Sequence, residues 1–150
     1  MRHRRKTVKL GRNSSHRRWL FRNLARSIIE SFAESGSGVV STLPKLKAVR
    51  PFVEKLVTVG VRAFRCEREA ASVVENAQLS SRRRADAVML RRSLFRVLRC
   101  RALVEKTVSV VGERYESRCG GYVRISRLQR GRIGDGGVVG VLQWVDTAIE

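Results

Sequence analysis

The chain has 150 residues, enough for one domain with a buried core, and its 43% apolar content argues against wholesale disorder. The outlier is charge: 32 Lys and Arg against 13 Asp and Glu leave +19, with a sequence pI of about 11.6. Clustered Arg at such a pI is the electrostatic footprint of nucleic-acid binding, and no apolar run is long enough for a transmembrane helix.

The charge is concentrated at the start. Ten Lys or Arg and both histidines lie between Arg2 and Arg26, and the first acid is Glu30. Self-repulsion on this scale opposes compaction, so an external polyanion is expected to neutralise it. No apolar segment follows the basic start, which excludes a secretory signal; a mitochondrial transit peptide shares the composition. Residues 1–12 read as an extended basic arm too poor in apolar side chains to fold alone, and residues 13–150 as a single domain. Asn13, Ser14 or Ser15 is expected to cap a helix in which Leu20, Leu24, Ile28 and Phe32 recur at helical spacing, with Phe21 and Ala25 beside them. Arg22 and Arg26 flank that stripe.

Glu34 to Gly38 reads as a flexible break, and Val39 to Thr42 as a short strand. Ser41 or Thr42 can cap the next helix, with Pro44 in its first turn. Leu46, Val49, Val53, Leu56, Val57, Gly60 and Phe64 sustain its period, and Pro51 predicts a kink or restart near Arg50. Arg65 to Ser80 fits helix or loop.

The second basic block, Arg82, Arg83 and Arg84, opens a helix predicted to run to about Val104. Leu90, Leu94, Val97 and Leu98 share its inner face. Arg92, Arg96 and Arg99 project oppositely without acids at i±4, so a phosphate-facing surface is expected. Gly120 to Ile125 reads as a turn into a strand, Gly131 to Gly137 as a connection, and Val138 to Val145 as a second strand, together a C-terminal β-hairpin. Three or four helices packed in a second layer on a small sheet make an α+β fold.

No catalytic constellation emerges. The acids are sparse, the glycine-rich segment lacks the Lys-Ser/Thr of a P-loop, and His16 has no acid partner nearby to orient it. Cys66, Cys100 and Cys119 lack metal-ligand spacing and read as free thiols, so neither a metal nor a cofactor is expected. The donors at the N-terminus suit phosphate instead: Arg forks, neutral Ser, Asn and His groups, and a helix start that attracts anions. Trp19 and Tyr122 are candidates for stacking on unpaired bases, which favours folded RNA over regular duplex DNA. Arg2, Arg4, Arg5, Lys6, Lys9, Arg12, Arg17, Arg18, Arg22, Arg82–Arg84, Arg92, Arg96 and Arg99 are the cations expected to meet phosphate.

Several blocks carry a more specific signal: Met1-Arg-His-Arg-Arg-Lys6, Leu10-Gly-Arg-Asn-Ser-Ser-His-Arg17, Arg22-Asn23, Ser41-Thr-Leu-Pro-Lys45, Arg50-Pro51, Val53-Glu-Lys-Leu56, Arg114-Tyr115, Arg118-Cys-Gly-Gly-Tyr-Val-Arg-Ile125 and Gly134-Asp135. In this order they resemble the family of ribosomal protein seventeen of the bacterial large subunit. The resemblance spans nearly the whole chain and implies a structural protein that binds large-subunit rRNA, catalyses nothing, and resides in the ribosome of a bacterial cytoplasm or an organelle matrix. It implies a place near the tunnel exit, beside neighbouring ribosomal proteins and away from membranes and small-molecule substrates. The rRNA contacts carried over are Arg2, His3, Arg4, Lys6, Arg12, Asn13, Ser14, Ser15, His16, Arg17, Lys45, Tyr122 and Arg124. A match beginning at Met1 lowers the transit-peptide reading. The chain departs from the family at Ser31 to Gly38, Val61 to Ser81 and Gln129 to Gly137. A free nucleic-acid-binding protein of nucleoid or RNA-chaperone type is the alternative; it would bind many duplexes with steep salt dependence. An amphipathic helix lying on a membrane surface is a third and weaker reading.

Overall fold

A computed structural model describes residues 8–34, 38–72, 77–129 and 131–145. Helix α1 spans Ser14–Glu34, strand β1 Val39–Thr42, helix α2 Leu43–Ser72, helix α3 Ala77–Leu98 and helix α4 Arg101–Lys106. From α4 the chain continues through a π-helical segment, Thr107–Val111, and a last helical turn, Gly112–Arg114. Strands β2 (Val123–Arg127) and β3 (Val139–Trp144) close the fold. The helices pack on a small three-stranded antiparallel sheet of order β1-β3-β2, an α+β arrangement. The expected C-terminal hairpin is β2 paired with β3, with Val123 opposite Trp144; β1 joins the other edge of β3, with Thr42 opposite Val139.

Alternation along β3 sets the layers. Gly140, Leu142 and Trp144 point inward and are buried, while Val139, Val141 and Gln143 alternate with them in partly exposed positions. The Trp144 indole N–H donates to the Ile28 carbonyl at 2.8 Å, tying the sheet to α1. Glu54 on α2 accepts the backbone N–H groups of Tyr122 and Val123, both at 3.1 Å, and so fixes the entry to β2. The rings of Phe32, Tyr115, Tyr122 and Trp144 form one aromatic cluster in the core, with Phe32 edge-on to Trp144 at a centroid distance of 4.9 Å and Tyr115 stacked on Trp144 at 5.9 Å. Elsewhere α2 meets the π segment closely. A Cβ on Gly60 would lie 2.7 Å from the Thr107 carbonyl oxygen, so only glycine fits there unshifted.

Several expected boundaries change or are settled. Helix α2 continues unbroken from Leu43 to Ser72 through Pro51. Both Pro51 and Lys47, whose carbonyl loses its helical donor, are exposed, so water can satisfy that carbonyl. The second basic helix ends at Leu98 rather than near Val104. Arg99 adopts φ 55°, its N–H bonds the Phe95 carbonyl at 2.8 Å, and extended Cys100 precedes α4. A left-handed residue closing a helix is usually glycine, so an arginine there gives no sequence signal. Arg65 to Ser72 is helix, and α3 already covers Ala77 to Ser80; the buried Ser80 hydroxyl donates to the Ala70 carbonyl at 3.0 Å, holding the two helices together. The flexible break falls mainly on residues 35–37, outside the described residues, and α1 itself extends to Glu34.

Candidate nucleic-acid interface

Arg2, His3, Arg4, Arg5 and Lys6 lie outside the described residues. The chain enters α1 through a tight turn, with Leu10 at φ 57° and Gly11 at φ 62°, closed by the Arg12 N–H on the Lys9 carbonyl at 3.2 Å. Positive φ at both central positions is the type I′ pattern, which Gly11 adopts without strain. Of the three candidate caps, Asn13 does the work. Its Oδ1 accepts the His16 N–H at 2.8 Å and the Ser15 hydroxyl at 3.1 Å. The Arg12 guanidinium donates to Nε2 of His16, and Arg17 donates to the Arg12 carbonyl at 3.3 Å.

These bonds arrange the cluster without neutralising it. Among the described residues no carboxylate pairs with Lys9, Arg12, Arg17, Arg18 or Arg22. Lys9, Ser14, Ser15, His16 and Arg18 are exposed, Arg12, Arg17 and Arg22 partly so, and Trp19 presents 60% of its surface. The first turn of a long helix, positive by its dipole, thus carries and adjoins cations that meet no carboxylate among the described residues. One helical turn beyond Arg22, Arg26 donates to the Leu98 carbonyl at 2.7 Å, which brings α1 against the C-terminal end of α3. Arg26 therefore caps a helix end as well as carrying charge.

The second basic block divides by helix face. Arg83 pairs with Glu69 at 3.0 Å. Arg91 binds Glu67 and Glu105 together, which holds its guanidinium above the ordinary range and depresses the Glu105 carboxyl. Arg82, Arg84, Arg92, Arg96 and Arg99 are exposed and pair with no carboxylate among the described residues. Arg101, at the start of α4, is exposed and unpaired in the same sense, although sequence reasoning did not single it out. Its signal was present: it lies two residues beyond Arg99 in the same basic run.

Lys45, partly buried near the start of α2, and Arg124, exposed on β2, lie apart from both blocks. Tyr122 does not offer itself to a base. It is 2% exposed, its hydroxyl donates to the Arg118 carbonyl at 3.3 Å, and its ring packs on Tyr115. Cys66, Cys100 and Cys119 are unbridged, and burial pushes the Cys66 thiol up. Among the described residues no His, Cys, Asp and Glu group is placed to hold a metal ion, and no helix is long and apolar enough to cross a membrane.

Residues 20–145 match the family model described as ribosomal protein L17. The chain belongs to that family. A protein of Fervidobacterium nodosum named large ribosomal subunit protein bL17 is 38% identical, with 97% of this chain and 100% of the relative covered. The bL17 of Petrotoga mobilis is 39% identical, with 95% of each chain covered. That of Rhodopirellula baltica is 33% identical over 97% of this chain and 81% of its own length. Each of the two basic blocks presents cations that meet no carboxylate among the described residues.

Proposed function

We propose that this chain is a structural constituent of the large ribosomal subunit and binds large-subunit rRNA; it catalyses no reaction. The observation that carries the rRNA contact is the start of α1. Lys9, Arg12, Arg17 and Arg18 lie in or beside the first turn of a capped helix, and among the described residues no carboxylate pairs with any of them. Phosphate oxygens complete that arrangement, through Arg forks and the helix N–H groups. The arm residues Arg2, His3, Arg4, Arg5 and Lys6 extend the same contact, and Ser14, Ser15, His16 and Arg22 add donors around it. Arg82, Arg84, Arg92, Arg96 and Arg99 form a second phosphate-facing surface, with Lys45 and Arg124 as separate contacts. The arm, residues 1–12, serves as the anchor and residues 13–150 as the folded domain.

The protein neighbours are other large-subunit proteins near the tunnel exit, a placement supported by the family blocks in the sequence. Sedimentation through a density gradient at moderate salt tests the assignment. The chain is expected to travel with large subunits. Recovery entirely at the top of the gradient overturns it.

A further inference from the structure

Along one flank of α3, Arg84, Val88, Arg92 and Phe95 follow one another at steps of four, four and three residues. Such steps keep all four in one stripe, about 17 Å long at roughly 1.5 Å per residue. Cations alternate with apolar side chains, and the apolar members are exposed: Val88 by 46% and Phe95 by 42%. Beside the stripe, Val88, Arg92, Phe95, Arg101 and Val104 line an open cleft of about 380 Å³ between α3 and α4. Arg91 and Glu105 also line the cleft, but Arg91 is engaged by both Glu105 and Glu67 and is not available to a ligand. Among the described residues Arg92 and Arg101 meet no carboxylate.

The cleft therefore has an apolar floor and a cationic rim. An RNA duplex fits it poorly, because its rim of phosphates and 2′-hydroxyls leaves Phe95 and Val88 with nothing to cover them. An unpaired nucleotide supplies both halves: a flat base for the phenyl ring and a flanking phosphate for each guanidinium. We propose that the α3–α4 cleft seats an unpaired RNA nucleotide, its base stacked on Phe95 and its flanking phosphates held by Arg92 and Arg101. This rests on the rRNA-binding reading and adds the form of RNA recognised at this surface.

The test uses the full chain with two probes of equal length, a short oligouridine strand and a short RNA duplex, titrated across a salt series. Phe95→Leu keeps an apolar side chain at a half-exposed position and removes only the ring. It is expected to weaken strand binding by about fivefold to a hundredfold, the range of one lost base–aromatic stack, while duplex affinity stays within about twofold. Arg92→Gln is expected to lower the log–log salt slope for the strand by about 0.7, one phosphate contact. The proposal is overturned if Phe95→Leu leaves strand affinity unchanged or weakens strand and duplex equally. It is also overturned if oligoglutamate displaces the strand from the wild-type chain but not from Phe95→Leu, which would make the cleft a seat for acidic protein. Wild-type and Phe95→Leu chains should both sediment with large subunits. Sedimentation without strand discrimination sinks the cleft alone, whereas loss of sedimentation by the wild type sinks the ribosomal reading too.

Discussion

The start of α1 and helix α3 carry comparable runs of arginine, and the fold treats them in opposite ways. At the start of α1 the guanidiniums bond the His16 ring and the Arg12 carbonyl and pair with no carboxylate among the described residues, so their charge stays available. On α3 the face towards α2 and α4 is tied down by Glu67, Glu69 and Glu105, whereas the arginines of the outer face meet no carboxylate among the described residues. A count of arginines therefore overstates the charge that a polyanion can meet. What matters is which face each one occupies and whether a neighbouring helix brings a carboxylate to it. The first block is built to bind; the second both binds and braces the fold.

Substitutions at the two blocks should separate those roles. The largest effect is expected for Arg12→Gln, Arg17→Gln and Arg18→Gln together. Loss of three phosphate contacts lowers the salt slope of rRNA binding by about 2 to 3, while the urea midpoint of unfolding barely moves. A shifted midpoint would mean that the cluster braces the fold after all. Asn13→Ala removes the cap that orders this block and is expected to cost about 1 kcal/mol by chemical denaturation, with a smaller loss of rRNA affinity. Arg91→Met should do the reverse of the triple substitution. It dissolves the link between α2 and α4 at a cost of about 1 kcal/mol or less, since Glu105 can rehydrate, and leaves the salt slope unchanged. A fall in that slope would move Arg91 into the interface.

The contrast between the blocks was only half legible in the sequence. The acid-free start, the cap region, the short strand before Pro44 and the C-terminal hairpin all announce themselves through local spacing and composition. The partners of Arg83 and Arg91 do not. Glu69 and Glu67 lie on α2, beyond the reach of any i±4 search, and only the packing of α2 on α3 brings them near. The continuation of helix beyond Val104, as far as Arg114, was missed for a related reason. Its Thr107-Val-Ser-Val-Val111 run is β-branched and reads poorly as helix, yet the close approach of Thr107 to Gly60 on α2 packs it as a π turn. Tyr122 illustrates the opposite error. A residue inside a diagnostic block invited a functional role, but its ring completes the aromatic cluster of the core.

The smallest effect expected is a pH dependence confined to the braced block. Arg91 keeps its proton throughout the accessible range, so Glu105 is the group that titrates. Hydrogen bonding to Arg91 depresses the Glu105 carboxyl in the folded chain below its ordinary value of 4.5. The unfolded chain then binds a proton at higher pH than the folded one, so the contribution of Glu105 to stability is fully present above that ordinary value. It is lost as pH falls through the depressed folded value. Because Glu105 is well exposed, solvent screening limits this contribution to a few tenths of a kcal/mol. Urea titrations at pH 6 and at about pH 3 should therefore show a gap between wild type and Glu105→Gln that is present at the higher pH and closes at the lower. The same pair of titrations on Arg17→Gln should show no pH-dependent gap, because among the described residues no carboxylate is paired with that guanidinium. A pH-dependent gap at Arg17 would place an acid beside the first block and erase the distinction between the two.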